Sequence, residues 1–168
     1  MVKFEATCDL YDKFLDTAAR VPNLQWKDYG RRQFCGSAVT VKCFEDNSRI
    51  KELVATNGKD KVLIVDGGGS QRCAILGDNL AELAVQHEWE GLIVYGCVRD
   101  TSILQTLDIG IKALGSTPRK STRRGEGQVN IDVCIGDVWI KPGDYVFADA
   151  DGVLVVDPKD YDAKSTQD

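Results

Sequence analysis

Val62-Leu63-Ile64-Val65-Asp66-Gly67-Gly68-Gly69, followed by Gly77-Asp78-Asn79-Leu80 and then by Leu92-Ile93-Val94-Tyr95, is the stretch whose reading decides the fold. Val62 to Val65 make a continuous apolar run that opens into a glycine turn, the pattern of a strand covered on both faces. Beyond Gly77-Asp78, the residues Leu80, Leu83, Ala84 and His87 recur on one face of a helix. Leu92 to Tyr95 then repeat the buried-strand pattern. Strand, helix and strand in that order predict a parallel crossover unit, the building block of an α/β fold.

Working outward toward the N-terminus, Leu10, Tyr11, Phe14, Leu15 and Ala18 form one apolar stripe on a helix expected from Thr7 to Arg20. Thr7 is its expected N-cap, and Pro22 ends the run. Gly36 to Phe44 alternates and carries Val39-Thr40-Val41, which favours a strand. Asn47 is placed to cap a short helix through Val54, closed by Asn57-Gly58.

Toward the C-terminus, Thr101 is placed to cap a short helix containing Ile103, Leu104 and Leu107, and Ile111 to Leu114 reads as another strand. Past Gly127 the pattern becomes short strands: Val129 to Val133, Val138-Trp139-Ile140, Tyr145-Val146-Phe147 and Val153-Leu154-Val155-Val156. Pro142-Gly143 suits the centre of a type II turn between two of them. No linker separates the mixed front from the strand-rich back. The expectation is one α/β domain over residues 1–157 with more than one sheet, and a short polar tail over 158–168 that frays.

Composition narrows the function classes. With 43% hydrophobic and 28% charged residues among 168, the chain is globular and long enough for a sizeable core. No stretch of about 18 apolar residues exists, so no membrane span is expected, and no basic-then-apolar leader is read at Met1-Val2-Lys3-Phe4-Glu5. The six cysteines contain no C-x-x-C pair, and they read as reduced thiols in a cytoplasmic protein. A net charge of −5 argues against direct nucleic-acid binding through a broad basic surface. Arg119-Lys120-Ser121-Thr122-Arg123-Arg124 is the local exception, read either as a solvated loop or as an anion-attracting rim.

Several residues carry possible chemistry. Gly67 to Gly69 permit a tight turn, or amides that meet an anion, but match neither the dinucleotide fingerprint nor the lysine-bearing phosphate loop. Asp78 stands where a carboxylate N-cap would need no catalytic explanation. Arg99-Asp100 follows a buried strand, and the ends of such strands form ligand crevices in parallel sheets. An arginine fork suits a planar carboxylate, and the hard oxygen of Asp100 suits magnesium. His87, the only histidine, lies on an apolar stripe and is assigned packing or a local hydrogen bond, so histidine-based hydrolysis and histidine-rich metal sites lack parts.

Val65-Asp66-Gly67-Gly68-Gly69-Ser70, Gly77-Asp78-Asn79-Leu80 and Tyr95-Gly96-Cys97-Val98-Arg99-Asp100, in that order, resemble the family of the regulator of ribonuclease E activity A. That family includes the class II 4-hydroxy-4-methyl-2-oxoglutarate and 4-carboxy-4-hydroxy-2-oxoadipate aldolases. The resemblance runs from about Thr7 to Asp157, and Val41 to Asn47 looks closest to the regulator branch. The family's enzymatic pattern, an aspartate followed after twenty residues by arginine and aspartate, is matched by Asp78, Arg99 and Asp100.

The resemblance implies a swivelling-type β/β/α sandwich assembled as a homotrimer with sites between subunits. It implies a lyase that releases pyruvate from a small 4-hydroxy-2-oxo acid and decarboxylates oxaloacetate, with Mg2+ or Mn2+ as cofactor. Arg99 would bind the pyruvate carboxylate, Asp100 would ligate the metal, Asp78 would hold metal-bound water, and backbone donors from Gly77, Asp78, Asn79 and Leu80 would help enclose the substrate. The longer aldolases carry a C-terminal extension that lends an acid to a neighbouring subunit; here Glu45 or Asp46 is the expected replacement. The alternative expectation is a non-catalytic regulator whose partner is an RNA-processing enzyme such as ribonuclease E.

Overall fold

The computed structural model describes residues 1–166. The first half of the chain forms α1 (Thr7–Ala18), β1 (Lys27–Gly30), β2 (Phe34–Lys42), α2 (Ser48–Val54), β3 (Lys61–Asp66), β4 (Ala74–Leu76) and α3 (Asp78–Gln86). β5 (Gly91–Val98), α4 (Thr101–Leu104) and β6 (Gly110–Ser116) complete the mixed part. The strand-rich part holds β7 (Gln128–Val129), β8 (Val133–Ile135), β9 (Val138–Ile140), β10 (Tyr145–Asp149) and β11 (Gly152–Val156), and α5 (Pro158–Ser165) closes the chain.

The main sheet runs in the order β1-β6-β5-β3-β2-β10-β11, with β4 added to β5 and β7 to β2. Its centre, β2, β3, β5 and β6, is parallel, and β3-α3-β5 is the predicted crossover unit. β1, β10 and β11 join antiparallel at the flanks. Because strand side chains alternate, β3 and β5 feed two cores at once. Leu63, Val65, Leu92 and Val94 pack beneath Ile50, Val54, Leu80, Ala84 and Leu104 of the helices. Val62, Ile64 and Ile93 face the other way, against Val133, Ile135 and Ile140 of the separate β8-β9 hairpin and Val146 and Val155. Helices on one face and a second β layer on the other make the β/β/α sandwich, and each fully buried aliphatic side chain contributes about 1.5–3 kcal/mol.

Tight contacts fix the helical layer. Trp89 is buried and donates its indole N–H to Thr56 O at 3.1 Å, and Gly58 lies so close that a Cβ there would sit 2.1 Å from the ring. Pro142-Gly143 forms the expected turn, with Gly143 at φ 91° and Asp144 N donating to Lys141 O at 3.1 Å. Lys112, buried in β6, is neutralised by Asp28 of β1 at 2.5 Å.

The structure differs from the sequence reading at several places. The N-cap of α1 is Ala6; Thr7 instead gives both its amide and its hydroxyl to the Asp149 carboxylate at 2.8 Å each. Burial alone would raise the Asp149 pKa, but these bonds and those from Asp151 and Gly152 outweigh it and hold the carboxyl below its ordinary range. Leu15 leaves the expected stripe: at φ 52° and ψ −169° it breaks the helix and is 52% exposed. The strand expected at Gly36 to Phe44 begins and ends two residues earlier.

The residues from Pro158 onward were expected to fray, yet 158–165 form α5; positions 167 and 168 of that tail lie outside the described residues. Asp157 accepts from Lys159 N at 2.8 Å and Pro158 opens the helix, a strong local start signal. Tyr161 then anchors α5 by stacking on Phe14 and Phe147 with ring centroids 6.0 and 5.6 Å away, while its hydroxyl donates to Glu5. All six cysteines are free, and burial pushes the Cys43 thiol up to about 12, which leaves it a packing group. Among the described residues no helix is long and apolar enough to cross a membrane.

Candidate active site

Register brings the predicted residues together. β4 and β5 run parallel with Leu76 opposite Val98, so the residues that follow each strand, Gly77-Asp78 and Arg99-Asp100, emerge side by side. Arg99 N donates to Leu76 O at 2.9 Å and locks the two ends. This is the carboxyl edge of the parallel strands, where α/β sheets open a crevice.

Asp100 is held in an unusual way. It adopts the left-handed conformation, φ 58° and ψ 39°, at the N-cap of α4, and its carbonyl accepts from Ile103 N and Leu104 N at 3.0 Å each. Its side chain turns back toward α3, with Oδ2 3.4 Å from Asp78 N and 3.7 Å from Arg99 Nε. A Cβ on Gly77 would meet that oxygen at 2.8 Å, so glycine is what lets the carboxylate approach the start of the helix. Strained left-handed backbone at a polar residue costs on the order of 1 kcal/mol and gathers at functional positions. Nothing in the sequence signalled it.

Gly77, rather than Asp78, is the N-cap of α3, and Asp78 is the first helical residue. The Asp78 carboxylate accepts from Asn79 N at 2.8 Å, so one of the amides expected to enclose a ligand is taken up locally. Arg99 reaches Pro118 O with Nη1 at 3.4 Å, a weak contact that leaves most of the guanidinium fork for an incoming anion.

Gly77, Asp78, Asn79, Leu80 and Arg99 line one cavity of about 580 Å³ together with Asn47, Lys120, Ser121, Thr122 and Arg123. Part of the basic segment, Lys120 to Arg123, borders the cavity. The loop is stitched in by Thr122 N to Glu45 O at 2.9 Å, Ser121 N to Ala74 O at 3.1 Å, and Arg123 Nε to Asn47 Oδ1 at 3.2 Å. Asn47 was expected only to cap α2; it occupies that position, but its side chain serves Arg123, and Asp46 accepts from Ser48 N at 2.9 Å in its place. Sequence reading had no signal for this, because the partners lie some seventy positions apart.

Other candidates fall away. Gly67 N and Gly69 N both donate to Tyr95 O, at 3.0 and 3.2 Å, and Gly68 N donates to Asp66 at 3.0 Å, so the triple glycine is a turn whose amides are spent. His87 makes its contact to Leu83 O at 2.9 Å and stays structural. Asp46 is fully buried, which removes it as an acid offered to a neighbouring subunit. Glu45 is engaged by Arg72 Nε at 2.6 Å and Ser70 Oγ at 2.7 Å, and these bonds, the Arg72 one foremost, hold its carboxyl below the usual carboxylate range.

Asp78 lines the cavity, and Asp100 stands beside it without lining it, its Oδ2 3.4 Å from Asp78 N. Among the described residues no three histidines, cysteines or acids converge. Two neighbouring carboxylates suit a hard divalent cation, which uses one or two carboxylates and keeps several waters.

An arginine, a carboxylate and the start of a helix line one cavity at the edge of a parallel sheet, a setting that suits a small anionic ligand. The chain belongs to the RraA-like family, described as Aldolase/RraA, which matches residues 7–155. It is 54% identical over 149 residues to a candidate 4-hydroxy-4-methyl-2-oxoglutarate aldolase of Alcanivorax borkumensis, covering 88% of this chain and 93% of that one. A Geobacillus kaustophilus structure described as an S-adenosylmethionine:2-dimethylmenaquinone methyltransferase superposes with a TM-score of 0.89 at 42% identity, covering 91% of this chain and 95% of that one. The RNA-processing inhibitor RraA of Thermus thermophilus gives 0.87 at 39% identity, covering 92% and 93%. Three activities are thus attached to one fold, and the residues of the site must choose among them.

Proposed function

We propose that this protein is a divalent-metal-dependent carbon–carbon lyase that cleaves 4-hydroxy-4-methyl-2-oxoglutarate, or a related 4-hydroxy-2-oxo acid, to pyruvate and also decarboxylates oxaloacetate. The observation that carries the reading is the strand register that sets Asp78 and Arg99 on one cavity, with the Asp100 carboxylate just behind them, 3.4 Å from Asp78 N and 3.7 Å from Arg99 Nε. Relatives about half identical over nearly the whole chain and named as candidate aldolases support it.

Both reactions leave negative charge on a pyruvate enolate. Arg99 binds the pyruvyl carboxylate as a planar fork and fixes the direction of the 2-oxo group. Asp100 would hold Mg2+ or Mn2+, and Asp78 would accept from the cation's water. When bound, the cation supplies Lewis-acid stabilisation of the enolate oxygen. The first turn of α3, Gly77 to Leu80, closes one side of the substrate and adds the positive end of the helix dipole.

The reading includes a homotrimer in which a neighbouring copy covers the site. Its support here is that the Arg99 and Asp100 side chains are 40% and 36% exposed in one chain, although such chemistry gains from exclusion of water. Six free cysteines support a reducing, cytoplasmic setting. A purely regulatory role, through an RNA-processing enzyme such as ribonuclease E, would have no use for the cavity or for the grouping of Asp78, Arg99 and Asp100 beside it.

The test supplies oxaloacetate and 4-hydroxy-4-methyl-2-oxoglutarate separately and follows pyruvate with magnesium, with manganese and with excess chelator, alongside sedimentation. Metal-dependent turnover and a mass near three chains are expected. Absence of metal-dependent turnover with both substrates rejects the lyase.

A further inference from the structure

Asp46 is a carboxylate with no exposed surface, yet no lysine or arginine side chain pairs with it among the described residues. Burying an unpaired charge costs several kcal/mol unless hydrogen bonds replace the lost water. Its partners are Ser48 N at 2.9 Å, Arg124 N at 2.6 Å and Thr122 Oγ1 at 3.5 Å. Burial pushes its pKa up, but bonds from Ser48, Arg124 and Glu126 outweigh that and hold it ionised.

Two of these partners belong to the basic loop, whose Lys120 and Arg123 line the same cavity as Arg99. The loop has little regular structure to hold it: its ladder contacts are single bridges, Asp46 to Thr122 and Ala74 to Lys120, and Gly125 and Gly127 follow at φ 73° and 117°. We propose that Asp46 is a positioning residue that pins this loop as the cavity's second cationic wall, and that the pinned wall selects 2-oxo acids carrying a second carboxylate. The selectivity rests on the proposed substrate class; the pinning stands on the hydrogen bonds alone. One carboxylate occupies the Arg99 fork, and a second carboxylate on the same ligand meets Lys120 and Arg123. A monocarboxylate such as pyruvate has nothing for that wall to hold.

The experiment compares the unaltered protein with Asp46→Asn, which keeps the size of the side chain, and Asp46→Ala. Hydrogen exchange is followed at residues 119–126 and at the β3 and β5 amides, and magnesium-supported binding of pyruvate and of 2-oxoglutarate is measured by calorimetry. Exchange at 119–126 should rise about tenfold in Asp46→Asn with β3 and β5 unchanged. The unaltered protein should bind 2-oxoglutarate about tenfold more tightly than pyruvate, and Asp46→Asn should lose most of that margin while its affinity for pyruvate stays the same. Unchanged loop exchange in both variants overturns the pin. Equal binding of the two acids by the unaltered protein, or parallel loss of both in Asp46→Asn, overturns the selectivity. Neither readout needs turnover, so a failed lyase assay would strike the proposed function and leave this inference to its own result.

Discussion

Gly77→Ala places one methyl group at the point where α3 begins and Asp100 approaches it. The backbone there, φ −136° and ψ −169°, is extended and open to any residue, so no strain follows from the loss of glycine. The new Cβ would lie 2.8 Å from Asp100 Oδ2 and 3.3 Å from Arg99 Cγ. The carboxylate is the free end of a side chain, and it must retreat by about 0.6 Å to restore an ordinary contact, while the fold around it has no reason to move. Alanine as N-cap costs up to about 1 kcal/mol, a loss of roughly 2–4 °C in Tm for a domain of this size. A misplacement of about 1 Å at a reacting group can cost a hundredfold, so a fall of about tenfold in kcat/KM, or about 1.4 kcal/mol, is expected. The assay couples pyruvate formation from oxaloacetate to lactate dehydrogenase at varied magnesium, with melting curves on the same samples. Full activity in a folded Gly77→Ala protein would refute the placement of Asp100 at the reacting centre.

Arg99→Lys keeps the charge and loses the fork, so the KM for oxaloacetate should rise about tenfold with a smaller change in kcat; an unchanged KM would deny Arg99 the carboxylate. Replacing Arg123 and Arg124 together by glutamine should lower kcat/KM more at low than at high ionic strength, and an equal loss at all salt concentrations would reject steering by the rim. Leu15→Gly relieves an exposed residue held at φ 52° and should stabilise the protein by about 1 kcal/mol in urea melts; destabilisation would show that Leu15 packs on something in the assembled protein.

The centre of the fold was legible because Val62 to Val65 and Leu92 to Tyr95 are apolar without alternation and too short for helices, as strands covered on both faces are. Asp78, Arg99 and Asp100 were legible as a spaced pattern, and the structure gives that spacing its physical content in the pairing of Leu76 with Val98. β4 itself escaped notice because three residues, Ala74-Ile75-Leu76, carry no periodicity. β1 escaped because Lys27-Asp28-Tyr29-Gly30 is short and mostly polar, and the pairing of Asp28 with buried Lys112 lies far away in the chain. The far wall of the cavity depended on contacts between Glu45-Asp46-Asn47 and the loop near residue 122, and long-range pairing leaves no local mark. α5 was a different failure: the Asp157-Pro158 start signal was present, and it was outweighed by the polar composition around it.

If Asp100 anchors a divalent cation, pyruvate formation depends on its charge. Asp100→Asn preserves size and removes the charge, and it is measured as initial rates over a grid of magnesium and oxaloacetate concentrations, once sedimentation and circular dichroism match the unaltered protein. The account predicts a folded, assembled variant whose metal-dependent rate falls by at least about tenfold, a loss of about 1.4 kcal/mol in transition-state stabilisation. Rates and magnesium dependence equal to those of the unaltered protein would contradict it.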